Sequence, residues 1–337
     1  MMAGLLAWGV GIVGLALAAF GWIEAPRDFF AAWLAGFLIL AAWPLGSLAL
    51  LLAHAMTGGH WGEALRLPLL GGVTVMALLV PAAIPLIVGA PTLYPWVHAA
   101  RGFWLQGGFF TLRAFLYAAI WLGLAGLLLR NRGAAGKLAP AGAMLLAYSV
   151  TFAVIDLAQS LTPEFNSSVF GLLAMAGMAG FGLAAALACA VLAGMPLPPA
   201  AGRILYGLVI LWAYLEFMQA LIVWESDLAV EAPWYIARTT GGWGQLAWLL
   251  AGGHFLLPFF LLMSGRLQRR ASVILWAALL LLAMEILRWW WIVLPSLARQ
   301  PGWIDLAVLA GLGGMAIGMV ASTRRRLLLW CKVAGNG

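Results

Sequence analysis

The chain has 337 residues, 65% of them hydrophobic and only 9% charged, with a mean hydropathy of +1.03. That balance excludes a soluble globular domain and specifies a polytopic membrane protein, with the lipid bilayer as its first partner. The formal net charge of +7 does not point to nucleic acid, because the basic residues sit in short connections between apolar segments. Apolar runs of roughly 20 residues, the bilayer-spanning length, fall at 4–22, 30–56, 67–89, 107–129, 138–160, 168–194, 204–224, 244–263, 271–295 and 303–322. They predict an all-α integral membrane protein of ten transmembrane helices in a single polytopic domain. The N-terminus has no basic region or small-residue cleavage site, so the first run reads as a retained helix.

Orientation follows from the placement of Lys and Arg. Of the 18, twelve lie in connections after even-numbered runs or in the basic tail, and four in connections after odd-numbered ones. Both termini are therefore expected on the cytoplasmic side. A faint repeat is visible as well. Basic turns join runs four and five (Arg130, Arg132, Lys137) and runs eight and nine (Arg266, Arg269, Arg270), and each precedes a helix with one deep carboxylate, Asp156 and Glu285. A shift of four helices makes the halves parallel copies. The expected architecture is two parallel four-helix bundles, helices 2–5 and 6–9, flanked by helices 1 and 10. The segments are then 1–28 (first helix), 29–165 (first bundle), 166–298 (second bundle) and 299–337 (last helix and basic tail).

Ionisable groups inside these runs are costly unless paired or facing a polar cavity. At 1.5 Å per residue, Asp156 sits ~27 Å above Lys137 and Arg113 ~25 Å above Arg130, so the two can pair between antiparallel neighbours. Tyr117 and Gln159 lie one turn from them, and Tyr148, with Ser149 and Thr151, offers hydroxyls that continue a polar track inward. In the second half Glu216, His254 and Glu285 all fall ~15–21 Å above the basic end, near the midplane. Gln219 is one turn from Glu216, and Arg288 is one turn from Glu285 on the same helix face. Carboxylates, an arginine and an imidazole at one depth suit proton handling or hydrogen bonds to a quinone. Buried ion pairs also serve simply to fix helix register. Catalytic groups and metal ligands are not expected.

Cys189 and Cys331 have no partner at metal or redox spacing, so disulfides and iron–sulfur ligation are not expected. A membrane haem is disfavoured too, because His54 and His254 differ by roughly 10–15 Å in height and the other two histidines lie in connections. Pro44, Pro81, Pro85 and Pro258 are expected to kink their helices. Tyr94, Trp96, Trp224, Trp234, Tyr235, Trp243 and Trp289–Trp291 fall at one end, where an interfacial aromatic belt explains them.

Several strings carry a family likeness. They are Trp43-Pro-Leu-Gly-Ser47, Leu93-Tyr-Pro-Trp96, Phe109-Phe-Thr-Leu-Arg113 with Tyr117, and Thr151-Phe-Ala-Val-Ile-Asp156. A second group follows with Trp212-Ala-Tyr-Leu-Glu-Phe217, Ile222-Val-Trp-Glu225, Pro233-Trp-Tyr235, Gly241-Gly-Trp243 and His254-Phe-Leu-Leu-Pro258. Together the chain resembles the NrfD-like (polysulfide-reductase-like) membrane subunits of bacterial alternative complex III, of the ActF type, although its 90–106 connection is shorter. The resemblance implies a ten-helix subunit of the bacterial cytoplasmic membrane with no cofactor of its own. It further implies partners bearing haem c and iron–sulfur clusters, a second NrfD-like subunit, and cytochrome c or a terminal oxidase as acceptor. Buried polar groups then bind quinone or carry protons; Arg113, Asp156 and His254 match the family strings directly. Outside that family, a stand-alone small-molecule transporter and an inert assembly scaffold are the alternatives.

Overall fold

The structure is a computed structural model describing residues 2–97, 102–130 and 132–333, with side chains except at 3, 132–135 and 324–333. Arg101, Arg132, Arg324–Arg326, Cys331 and Lys332, which entered the sequence reading, therefore lie outside the described side chains. Among the described residues there is no strand, and ten helices are long and apolar enough to cross a membrane. They are α1 (Gly4–Glu24), α2 (Pro26–Thr57), α3 (His60–Leu93), α4 (Gly107–Arg130) and α5 (Gly136–Leu161), followed by α6 (Phe170–Leu192), α7 (Ala201–Ser226), α8 (Gly241–Met263), α9 (Ala271–Leu297) and α10 (Trp303–Thr323). These match the ten expected runs one for one.

The largest difference in bounds is at α3, which begins at His60. Gly58 (φ 68°) and Gly59 (φ 96°) adopt left-handed backbone, open to glycine at little cost. They reverse the chain in two residues, so the next helix restarts at once. α3 is broken at Val75, whose N–H reaches Gly72 O three residues back, just past the pair Gly71-Gly72. Helical hydrogen bonding runs on through Pro44, Pro81 and Pro85 and changes character just before Pro258. Pro258 has no N–H for the carbonyl four residues earlier, that of His254. The chain answers with a π-helical turn over Ala251–Leu256, in which Leu257 N–H bonds Gly252 O five residues back. A short helix, Ala232–Thr239, lies outside the spans between α7 and α8.

α2 and α6 are the centre. In α2, 89% of the most apolar stretch is buried, against 22% in α1. α2 packs on α3, α5, α6 and α10, and α6 packs on α2, α5, α7 and α9. Lipid removes most of the hydrophobic drive between helices, leaving close packing of small residues to hold them together. Accordingly, a Cβ added at Gly46 of α2 would overlap Met178 O of α6, and one at Gly182 would lie 2.6 Å from Gly46 C. α1 and α10 pair in the same way: Gly11 and Gly14 meet Gly311 and Gly314, with Gly4 beside Ala321 and Gly21 beside Ile304. The two are thus antiparallel, and the N-terminal end of α1 lies beside the C-terminal end of α10.

Overpacking a well-packed site typically costs about 1–3 kcal/mol. Gly46→Ala should therefore lower the melting temperature in detergent, whereas Gly180→Ala in α6, where nothing lies within 4 Å of the added Cβ, should leave it unchanged. Equal responses at the two positions would mean that α2 and α6 do not touch as described.

Candidate functional site

In the first half, α4, α5 and the loop before α4 converge on Asp156. Arg113 grips its carboxylate with two bonds, Nε to Oδ2 at 2.7 Å and Nη2 to Oδ1 at 2.9 Å. The Tyr117 hydroxyl donates to Oδ2 at 2.8 Å and the Trp104 indole N–H to Oδ1 at 3.0 Å. Four donors thus fill both oxygens, and all but the Trp104 approach are fully buried. The arginine is completed by Nη1 bonding Trp104 O at 2.9 Å and by the rings of Trp104 and Phe109, 4.3 and 4.6 Å from its central carbon. Charge-assisted, bidentate bonding of this kind is the strongest pairing available to buried charges. One turn below, the Trp121 indole donates to Ser149 Oγ at 3.0 Å.

In the second half the pair is made within α9. Arg288 Nε and Nη2 each bond Glu285 at 2.8 Å, and both residues are 1% exposed. The space for this pair exists because α6 has glycine opposite: a Cβ at Gly177 would lie 2.6 Å from both Arg288 Nη2 and Glu285 Oε1. His254, in the π turn of α8, points at the pair with Nε2 4.0 Å from Glu285 Oε2. Its ring stacks on Trp212 at 3.8 Å. A cavity of about 10 Å³, bounded by His254, Trp212 and Gly177, is close to the room that one water needs. His254 Nδ1 and Trp212 Nε1 are buried without a hydrogen-bond partner. Glu216 of α7 lies within electrostatic range of Arg288 and Glu285, and its Oε2 is likewise enclosed and unbonded. The pattern is parallel in the two halves: α4 sends Arg113 to a carboxylate on α5, and α8 sends His254 to one on α9.

Beyond these lies a third cluster, at the end opposite the termini. Arg238 of the short helix is 1% exposed. It donates to Trp234 O at 2.7 Å, to Ser296 Oγ at 2.7 Å and to Ile292 O, while its guanidinium stacks 3.6 Å from the Trp234 ring. Burial pulls it down to about 9, partly opposed by Tyr235, so it stays protonated at neutral pH. Burial first, then the Glu216 carboxylate, pushes the Tyr235 phenol above its ordinary value.

Of the residues singled out from sequence, Arg113, Tyr117 and Asp156 meet directly, as do Glu285, Arg288 and, at longer range, His254 and Glu216. Gln219 is buried but bonds Ser167 at 2.8 Å, and Gln159 donates to Phe165 O at 3.1 Å; neither touches a carboxylate. Tyr148 is corrected: it is 61% exposed and turns away from the interior, while its neighbour Ser149 faces in. The aromatic belt is corrected too. Tyr94, Trp96, Trp234, Trp243 and Trp289–Trp291 are all buried, and of that set Trp224 is the one strongly exposed, at 81%. They pack around the loops, as where Trp234 stacks on Phe165 at 4.3 Å. Arg238 and Trp104 were missed. The available signals were Trp234 four residues before Arg238, one turn of helix, and the Trp104 indole at the mouth of an arginine-bearing run. No protein-family model and no curated protein matches the chain.

Removing one partner of a buried ion pair costs about 3–5 kcal/mol because the other charge is stranded. Asp156→Leu should carry that loss, and adding Arg113→Met should recover most of it. A double-mutant cycle on thermal stability in detergent reads the difference; simply additive losses would show that the pair does not couple α4 to α5.

Proposed function

We propose that this chain is an integral membrane subunit of a quinol-oxidising respiratory complex of the alternative complex III kind. It sits in the bacterial cytoplasmic membrane with both termini cytoplasmic. Its helices form two four-helix bundles, α2–α5 and α6–α9, joined where α2 meets α6, with α1 and α10 alongside. Neighbour contacts around each ring support that arrangement. Electron transfer belongs to partners bearing haem c and iron–sulfur clusters, beside a second NrfD-like subunit and with cytochrome c or a terminal oxidase as acceptor. This chain offers a quinone-facing, proton-handling interior.

One observation carries the reading: a fissure of about 50 Å³ between α3 and α4 ends on Tyr117 and Asp156. Two rim residues, Val80 and Leu122, are 44% and 40% exposed in mid-span, so the fissure opens sideways, toward lipid. That is the approach an isoprenoid quinol must take, and the volume admits a few waters or the edge of a headgroup. Tyr117 donates its proton to Asp156 and keeps oxygen lone pairs toward the fissure. It accepts a hydrogen bond from one quinol hydroxyl, and one of the two protons released on oxidation passes along Tyr117 toward Asp156; the second leaves from the other hydroxyl to water, while both electrons leave to a partner's redox centre. A stand-alone transporter with a midplane site calls for unwound helix around Glu216, whereas α7 is continuous there. The scaffold reading draws on the saturation of Asp156 by four donors.

Isolation in mild detergent tests the assignment. Haem absorption and iron–sulfur clusters should co-purify with the chain, and a lone homodimer without them would overturn the complex. Within the assembled complex, Tyr117→Phe should slow quinol oxidation by roughly 100-fold, the lower range for a lost proton-transfer group. Unchanged turnover would leave the scaffold reading standing instead.

A further inference from the structure

His254 and Trp212 meet in a way that leaves each with an open bond. Their rings stack at 3.8 Å with planes 17° apart, and the two residues are 6% and 5% exposed. Ring N–H bonds and nitrogen lone pairs lie in the ring plane, so two stacked rings cannot bond each other through their edges. Trp212 Nε1 and His254 Nδ1 are accordingly both buried without a partner. Both residues bound the cavity of about 10 Å³ between α6, α7 and α9, and the rest of its lining is Gly, Ala, Leu, Val and Phe. Glu216, one turn along α7 from Trp212, does not line it.

The charge opposite the imidazole decides where its proton sits. Nε2 faces Glu285 Oε2 at 4.0 Å, and a carboxylate oxygen attracts an N–H but repels a bare lone pair. Glu285 already has its counter-charge in Arg288, bonded twice at 2.8 Å, so the pair calls for no second positive charge. A neutral ring with its proton on Nε2 leaves Nδ1 as an acceptor, whereas the Trp212 indole is a donor only. An occupant that satisfies both must accept from the indole and donate to the imidazole. A metal cation or an ammonium has no lone pair for the indole, and a halide has no proton for the imidazole. A hydroxyl does both, and room for about one water narrows that hydroxyl to water itself.

We propose that this cavity is the binding site of a single water, which accepts from Trp212 Nε1, donates to His254 Nδ1 and so locks His254 as the Nε2–H tautomer facing Glu285. His254 is thereby a positioning residue, its N–H held toward the carboxylate by a hydrogen bond made on the other side of the ring. The backbone supplies the geometry. The π-helical turn over Ala251–Leu256 sets the azimuth of the imidazole, and Gly177 and Gly180 of α6 leave the room beside it. The water site uses neither Tyr117 nor Asp156, so it stands or falls apart from the quinol reading of the fissure.

Solid-state NMR of the full chain in lipid, with isotope-labelled histidine, forms the test, and His254→Gln assigns the His254 ring signals by their loss. The wild type should carry its ring proton on Nε2, with a bare Nδ1 in contact with a water proton. Trp212→Phe, which keeps a stacked ring but removes the N–H, should weaken that water contact several-fold. Val209→Ile, adding a methyl at a buried lining residue, should weaken it by filling the space. A proton on Nδ1, an imidazolium, or no water contact in the wild type would overturn the proposal, and so would a contact of wild-type strength in both variants. The wild-type spectrum decides by itself where a variant fails to fold.

Discussion

A carboxylate in hydrocarbon must be met by donors, and that requirement fixes more of this molecule than any apolar contact. Asp156 draws together α4, α5 and the Trp104 loop because each of its lone pairs needs a partner that water cannot supply. The indole of Trp104 therefore reaches into the helices although its segment lies outside them. The Arg113 guanidinium, once recruited as counter-charge, in turn needs Trp104 O and two ring faces. Helix register, loop path and aromatic placement all follow from one buried charge.

The second half meets the same requirement differently, and the consequence is greater freedom. Glu285 and Arg288 satisfy each other along a single helix, so the pair does not bind α9 to its neighbours as the Asp156 cluster binds α4 to α5. What positions α8 is the backbone: Pro258 forces the π turn that swings His254 toward the pair. π turns recur at functional sites because they reorient one side chain while leaving the helix ends in place. Gly177 makes the complementary allowance on α6.

The spans themselves were legible because length and apolarity suffice to identify them, and depth was legible because a helix rises uniformly. Arg113 with Asp156 and Glu285 with Arg288 followed from those two facts. Azimuth was not legible. Each span is apolar on every side, so no amphipathic stripe marks the inward face, and height alone cannot separate Tyr148 from Ser149, which point about 100° apart on the helix. The same gap explains the tryptophans. Composition placed them correctly at one end, but whether an indole faces lipid or interior depends on loops whose path the sequence did not specify. Arg238 was hidden for a related reason, since its partners are mostly backbone carbonyls, which carry no sequence signature.

The two clusters also differ in how complete they are, and the difference divides their chemistry. Around Asp156 every strong acceptor is bonded within the protein, so that site needs nothing further and presents Tyr117 as a fixed group at the lipid-facing fissure. From His254 to Glu216 the chain leaves His254 Nδ1, Trp212 Nε1 and Glu216 Oε2 buried and unbonded. An unsatisfied buried polar group costs about 1–3 kcal/mol, so three of them are a large fraction of the folding stability of an ordinary domain. Such a set persists only with water or a polar ligand among its members, and the small cavity at His254 is where the first such molecule fits. One half therefore holds a carboxylate saturated by protein donors, and the other a set of buried polar groups with open bonds around a water-sized cavity.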